Sequence, residues 1–196
     1  DPVEVMQSLE TALADTDWIE NTEVVKVRPG RVVTSRESYE FDWVFDCRGL
    51  GAKKDIPLRA VRGELLWLEA PDVNIQHVVR LMHPRYRLYI VPRPNNLYLV
   101  GATEIESEDY SPVSVRSSLE LLSAAYSVHK GFGEARVIKS VVNCRPAMPD
   151  NLPLLSMEKG LSRINGLYRH GILLAPAVVE RTIAEFKRLS EISTEE

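Results

Sequence analysis

Only two cysteines occur in the 196 residues, Cys47 and Cys144, and no C-x-x-C pair is found. That excludes a zinc ribbon and a secreted disulfide framework, and leaves the expectation of two reduced, buried thiols in a cytoplasmic protein. Runs of a single charge are missing too. Lys+Arg total 24 against Asp+Glu 28, a net charge of −4, so bulk charge suits neither nucleic acid nor an anionic membrane. Apolar runs are short: Gly171–Val179 is typical and falls far below the ~18 residues that span a bilayer. No basic-then-apolar leader is present, so export is not expected. The four histidines, His77, His83, His129 and His170, lack ligand spacing, and no metal site is expected. Nor is there a G-x-S-x-G elbow for serine hydrolysis.

What remains is ordinary globular composition, 44% hydrophobic and 27% charged, which excludes a disordered chain. The length fits one domain or two small lobes. Asp1-Pro2-Val3-Glu4 reads as an N-cap, a proline at the first helical position and an acidic N3, the way a helix starts inside a longer chain. A fragment of a larger protein is therefore expected. Val5, Met6, Leu9, Ala12 and Leu13 follow at helical spacing and predict one buried face.

Glu23–Val27 and Arg31–Thr34 alternate around Pro29-Gly30 and predict a hairpin. A third strand is expected at Trp43–Cys47, running into Arg48-Gly49-Leu50-Gly51. From about Pro57 the chain reads as strands at Gly63–Glu69, His77–Leu81, Arg87–Val91 and Leu97–Val100, the last two joined by a Pro94-Asn95-Asn96 turn. A helix from about Pro112 to His129, with Val115, Leu119, Leu122 and Tyr126 inward and Gly131 as its C-cap, precedes a strand at Val137–Asn143. Arg145 to Pro153 is proline-rich and predicts a rigid extended loop. Leu167–Pro176 reads as a loop or strand feeding a helix whose first residue is Pro176, with Val179, Ile183 and Phe186 along one face. The fold class is α+β: a mostly antiparallel sheet with a covering helix, plus part of a second lobe.

Three features could carry chemistry. Gly49-Leu50-Gly51 follows a strand, but Lys54 occupies the third fingerprint position and Pro57 interrupts the expected helix, so this is not a G-x-G-x-x-G phosphate cradle. Arg145, held among prolines, is either a bidentate carboxylate anchor or the cation of a structural salt bridge to a carboxylate such as Asp150. Arg169 beside Gly171 admits the same two readings, and Ile172–Ala175 is core or cofactor contact.

Together the blocks Val44–Ala52, Val61–Glu64, Tyr89–Arg93 with Val100–Thr103, Cys144-Arg145-Pro146 with Pro149–Pro153, and Tyr168–Pro176 occur in an order that resembles the FAD-dependent D-amino-acid oxidase family, most of all its glycine oxidase branch of thiamine biosynthesis. The resemblance implies FAD as cofactor and a small amino acid as substrate, oxidised by hydride transfer to flavin to give an imine. It implies that Arg145 grips the substrate carboxylate, that Tyr89 adds a hydroxyl to it, and that Arg169 helps position the substrate. It places Gly49, His170, Gly171, Ile172 and Leu173 against the flavin. It also implies that residues 1–55 and 144–196 belong to an FAD-binding lobe and 56–143 to a substrate lobe. The N-terminal Rossmann unit, absent from the sequence, would then be a missing partner, and the chain alone would bind FAD weakly. A sarcosine oxidase or amino-acid dehydrogenase type of enzyme, or a non-catalytic remnant, is the alternative. The sequence departs from the family pattern at Asn143-Cys144, Val178-Val179 and Arg87.

Overall fold

The computed structural model describes residues 1–82 and 87–192; His83 and the last four residues of the polar tail lie outside the described residues. The chain divides into two compact units, residues 59–146 and residues 1–58 with 147–196.

The first of these is built on a mostly antiparallel sheet. Its strands are β5 (Arg59–Glu69), β6 (Val79–Met82), β7 (Arg87–Arg93), β8 (Leu97–Gly101), the short β9 (Ile105–Glu106) and β10 (Arg136–Ala147). They run in the order β10-β5-β8-β7-β6, with β9 also paired to β5. Alternation along β5 from Arg62 to Glu69 sends Leu66 and Leu68 to one face with Leu88, Ile90, Tyr98 and Val100 of its neighbours. Helix α2 (Val115–Val128) covers that face, and its Leu121, Ala124 and Ala125 join Phe132 in the same core. The antiparallel sheet with one covering helix is the architecture expected. The inward face of α2 differs in part: Leu122 packs against the core as expected, but Val115, Leu119 and Tyr126 are exposed, while Ser117, Leu121, Ala124 and Ala125 are buried. Small residues let the helix lie close to the sheet, so bulk at the right spacing does not decide its orientation. Gly131 is likewise not the cap. His129, extended, ends α2, and its imidazole accepts the Gly131 amide at 3.1 Å.

In the second unit the predicted hairpin forms β1 (Val24–Arg28) and β2 (Arg31–Thr34), with Gly30 at φ +65 in the turn. Its third strand is β3 (Ser38–Glu40), which the sequence did not signal. The strand expected at Trp43–Cys47 appears as β4 (Val44–Asp46) but belongs to another sheet, parallel to β12 (Leu161–Asn165), itself antiparallel to β11 (Leu154–Glu158). The two sheets share the Gly160 carbonyl, which accepts the amides of Gly30 and Val44, and Val27, Val44 and Leu161 form a small core.

Helix α1 (Pro2–Ala12) has the expected Asp1 cap, yet none of its residues is buried; Val5, Met6, Leu9 and Leu13 stay exposed because no described element packs on that stripe. Cys144 is buried as expected, whereas Cys47 is exposed, since it continues the outward side of β4 after Phe45. β10 carries Arg145 and Pro146 as strand, correcting the loop expected to begin there. Helix α3 runs Gly171–Ile192 and so starts before Pro176, which lies inside it. The first four amides of a helix need no carbonyl partner, so a proline two residues later removes a single bond.

Candidate functional site

The face of the antiparallel sheet turned away from α2 carries two of the predicted site residues. In register, Tyr89 pairs with Gly101 and Gly101 with Leu65, so all three point to the side opposite the buried Leu88, Ile90, Val100 and Leu66. Gly63, two residues along β5, shares that side. Over it lies the Arg145 guanidinium: a Cβ built on Gly63 would stand 2.5 Å from Cζ and Nη1 of Arg145. Nη1 donates to the Thr103 carbonyl at 3.2 Å. Among the described residues Arg145 pairs with no carboxylate, and Asp150 instead accepts the Leu152 amide. Tyr89, half-buried, stands two strands from β5, roughly 10 Å across the sheet, a span that a phenol and a bound carboxylate can share.

Behind Thr103, on the α2 side, a polar network fixes this region. The Thr103 hydroxyl donates to Glu64 Oε2 (3.1 Å) and accepts the Glu64 amide (2.8 Å), while the Thr103 amide donates to the Glu64 carbonyl (3.1 Å). Glu64 is fully buried and accepts from Arg62 Nη2 and Nε at 2.7 and 3.1 Å. Arg62 also donates to the carbonyls of Asp109, Ser111 and Pro112, tying the approach to α2 onto the sheet. Burial opposes ionisation of Glu64, but hydrogen bonds from Ser117, Arg62, the Ser114 amide and Thr103 outweigh it and hold the carboxyl below its ordinary pKa. Sequence reading assigned no role to this pair. Its only signal was a charged Arg-Gly-Glu step inside an apolar strand.

Arg169, His170, Gly171, Ile172 and Leu173 belong to the other unit, as does Gly49. Arg169 to Leu173 line an open concavity, with Pro176, at the start of α3. Ile172 and Leu173 are 64% and 77% exposed there, beside helix-start amides that have no intrahelical acceptor. Gly49 begins a 3-10 turn, Gly49–Ala52, with φ +55. Its carbonyl accepts Asn165 Nδ2 at 3.0 Å, and the segment from buried Asn165 leads into α3. Arg48 anchors the turn: Nε and Nη2 hold Asp46 at 2.8 Å each, and Nη2 reaches Asp55 at 2.6 Å. Burial opposes ionisation of Asp46, but Arg48 and then Arg163 outweigh it and lower its pKa. A 3-10 turn opening no helix confirms that Gly49-Leu50-Gly51 is not a dinucleotide fingerprint.

Exposed apolar side chains beside the amides of a helix start suit a flat, amphipathic group whose polar edge gains negative charge, as a flavin ring's does. Among the described residues no three His, Cys, Asp or Glu side chains gather as metal ligands, and no helix is long and apolar enough to cross a membrane.

The chain is 44% identical over 179 residues to a Rhizobium etli protein assigned to thiamine biosynthesis as the oxidoreductase ThiO, an alignment covering 91% of this chain and 52% of that protein. The crystal structure of glycine oxidase from Geobacillus kaustophilus superposes with a TM-score of 0.74 at 30% identity, covering 85% of this chain and 48% of that one. L-proline dehydrogenase from P. horikoshii shares the fold with a TM-score of 0.81 at 16% identity, over 93% of this chain and 54% of that one. The chain thus spans about half the length of these relatives. A family model described as FAD dependent oxidoreductase matches residues 1–184, and the chain belongs to that family.

Proposed function

We propose that this chain forms the substrate-binding and flavin-facing part of an FAD-dependent oxidase of glycine or small D-amino acids. The observation that carries the reading is Arg145: a guanidinium laid on the sheet face, tied to the Thr103 carbonyl and paired with no described carboxylate. Such a group is built to take a carboxylate from outside. Tyr89, on the same face, adds a hydroxyl to the substrate carboxylate. Arg169 orients the substrate, while Gly49 and His170–Leu173 lie against the ring. FAD, when bound, supplies the acceptor for the hydride that leaves the substrate α-carbon. This chain's own residues bind and orient the amino acid so that its α-carbon presents that hydrogen, and the imine product hydrolyses in water.

Relatives about twice as long support a chain that works with a further FAD-binding part, which holds the pyrophosphate. Two unpaired thiols suit a reducing, cytoplasmic setting. The test is anaerobic addition of glycine, sarcosine and D-alanine to the flavin-loaded enzyme. Bleaching of the oxidised flavin spectrum by glycine or D-alanine is expected. A flavin that none of these bleaches would sink the proposal.

A further inference from the structure

We infer that Gly63 is the positioning residue of the carboxylate clamp: its missing side chain is the seat on which the Arg145 guanidinium lies. The inference rests on the proposed role of Arg145 and adds the device that fixes its geometry. Glycine in the interior of a strand costs backbone entropy and gives up side-chain packing, and Gly63 sits in the long central strand β5 between buried Arg62 and buried Glu64. The space a side chain would fill is not empty. It holds Cζ, Nη1 and Nη2 of Arg145, all at or inside 2.5 Å of the Cβ position, far closer than any real contact.

Two supports then act on one guanidinium. The Gly63 backbone bears its flat face, and the Thr103 carbonyl takes one of its five N–H groups. Thr103 is itself locked to Glu64 through three hydrogen bonds, so the carbonyl has little freedom. The remaining N–H groups of Arg145 are not engaged by described residues and stay in one plane, ready for two parallel bonds to an α-amino carboxylate. Any side chain at position 63 must push the guanidinium off the sheet. Because the displaced group is the far end of a flexible chain, the fold survives and the aim of the clamp does not. Gly63 therefore acts through Arg145.

The experiment is nuclear magnetic resonance of the arginine Nε–Hε groups in the 196-residue chain, wild type and Gly63→Ala, with Arg145→Lys to assign the signal and acetate as the carboxylate probe. In wild type the Arg145 signal is expected to be as rigid as the backbone and to shift saturably with acetate. In Gly63→Ala it should become as mobile as exposed arginines, with acetate binding at least ~10-fold weaker, the loss of one charge-assisted bond. Unchanged rigidity and affinity in Gly63→Ala would overturn the inference. A signal that loosens as expected but ignores acetate in both proteins would overturn the carboxylate role of Arg145 and leave the seat standing. Should Gly63→Ala fail to fold, Gly63→Ala/Arg145→Ala decides: recovery of the fold shows that guanidinium and Cβ compete for one space, and no recovery refutes it.

Discussion

Glu64 on β5 accepts the backbone amide of Ser114 at 3.3 Å, so a strand side chain closes the N-terminus of helix α2. The carboxylate sits where the helix dipole favours negative charge, and its second charge partner, Arg62, is buried beside it. One ion pair thereby joins sheet, helix and the Asp109–Pro112 approach, and its Thr103 contact reaches the support of Arg145.

Removing half of this pair should cost far more than its share of surface suggests. Glu64→Ala leaves buried Arg62 with only the half-exposed Asp109 carboxylate, 3.2 Å away, and should cost about 3 kcal/mol. Glu64→Gln keeps the shape and part of the hydrogen bonding and should fall between Glu64→Ala and wild type. Thermal melts of the three proteins check the order, and a Glu64→Ala midpoint equal to wild type would refute it.

Acid should act on the same group. The folded pKa of Glu64 lies below its ordinary value, as does that of Asp46. The stability they contribute is then fully present above their unfolded values, near pH ~4. It is lost as pH falls through the depressed folded values. Melting midpoints should thus decline below about pH 4, and Glu64→Gln should flatten part of that decline. A Glu64→Gln profile parallel to wild type would exclude Glu64 as a source.

The elements readable in the sequence were those whose pattern is local. Pro29-Gly30 between alternating β-branched residues fixes its hairpin, and the β7–β8 pair follows from Pro94-Asn95-Asn96. What escaped depends on distant partners. β4 has the same apolar pattern whether it joins the hairpin or β12, and only the chain 117 residues later decides, through the Leu161–Val44 register. The inward face of α2 went unread because Ser117, Ala124 and Ala125 carry little hydrophobic signal, and Ser117 is inward to meet Glu64. At the candidate site, Arg145 stood out by its rigid setting, but its support could not. Gly63 reads as an ordinary strand glycine until the guanidinium above it is seen.

Arg48 should govern the turn at Gly49. Its bidentate grip on buried Asp46 and its bond to Asp55 hold the end of β4 against the 3-10 turn. Arg48→Ala leaves Asp46 with only Arg163, 3.9 Å away, and should destabilise that unit by about 3 kcal/mol or more. Amide hydrogen exchange is the measurement: faster exchange at Gly51 and Lys53, with β5–β8 unchanged, is expected. Equal acceleration in β5–β8 would show that Arg48 supports the whole chain instead.

Arg145→Lys separates an anchor from a structural cation. Lysine keeps the charge but is a point donor, and it can neither lie flat on Gly63 nor give two parallel bonds to a carboxylate. In the flavin-loaded enzyme KM for the amino acid should rise about 10–100-fold, the equivalent of one charge-assisted hydrogen bond. Tyr89→Phe removes one neutral hydroxyl and leaves the guanidinium in place, so a smaller rise, about 10-fold or less, is expected. Arg145→Lys should not move the melting midpoint much, since Arg145 has no described carboxylate partner to lose and its described hydrogen bond is to the Thr103 carbonyl. The structural reading predicts the reverse pattern, a lowered midpoint with KM nearly unchanged. Steady-state kinetics and a melt on the same Arg145→Lys preparation distinguish them, and the reverse pattern would remove Arg145 from the substrate site.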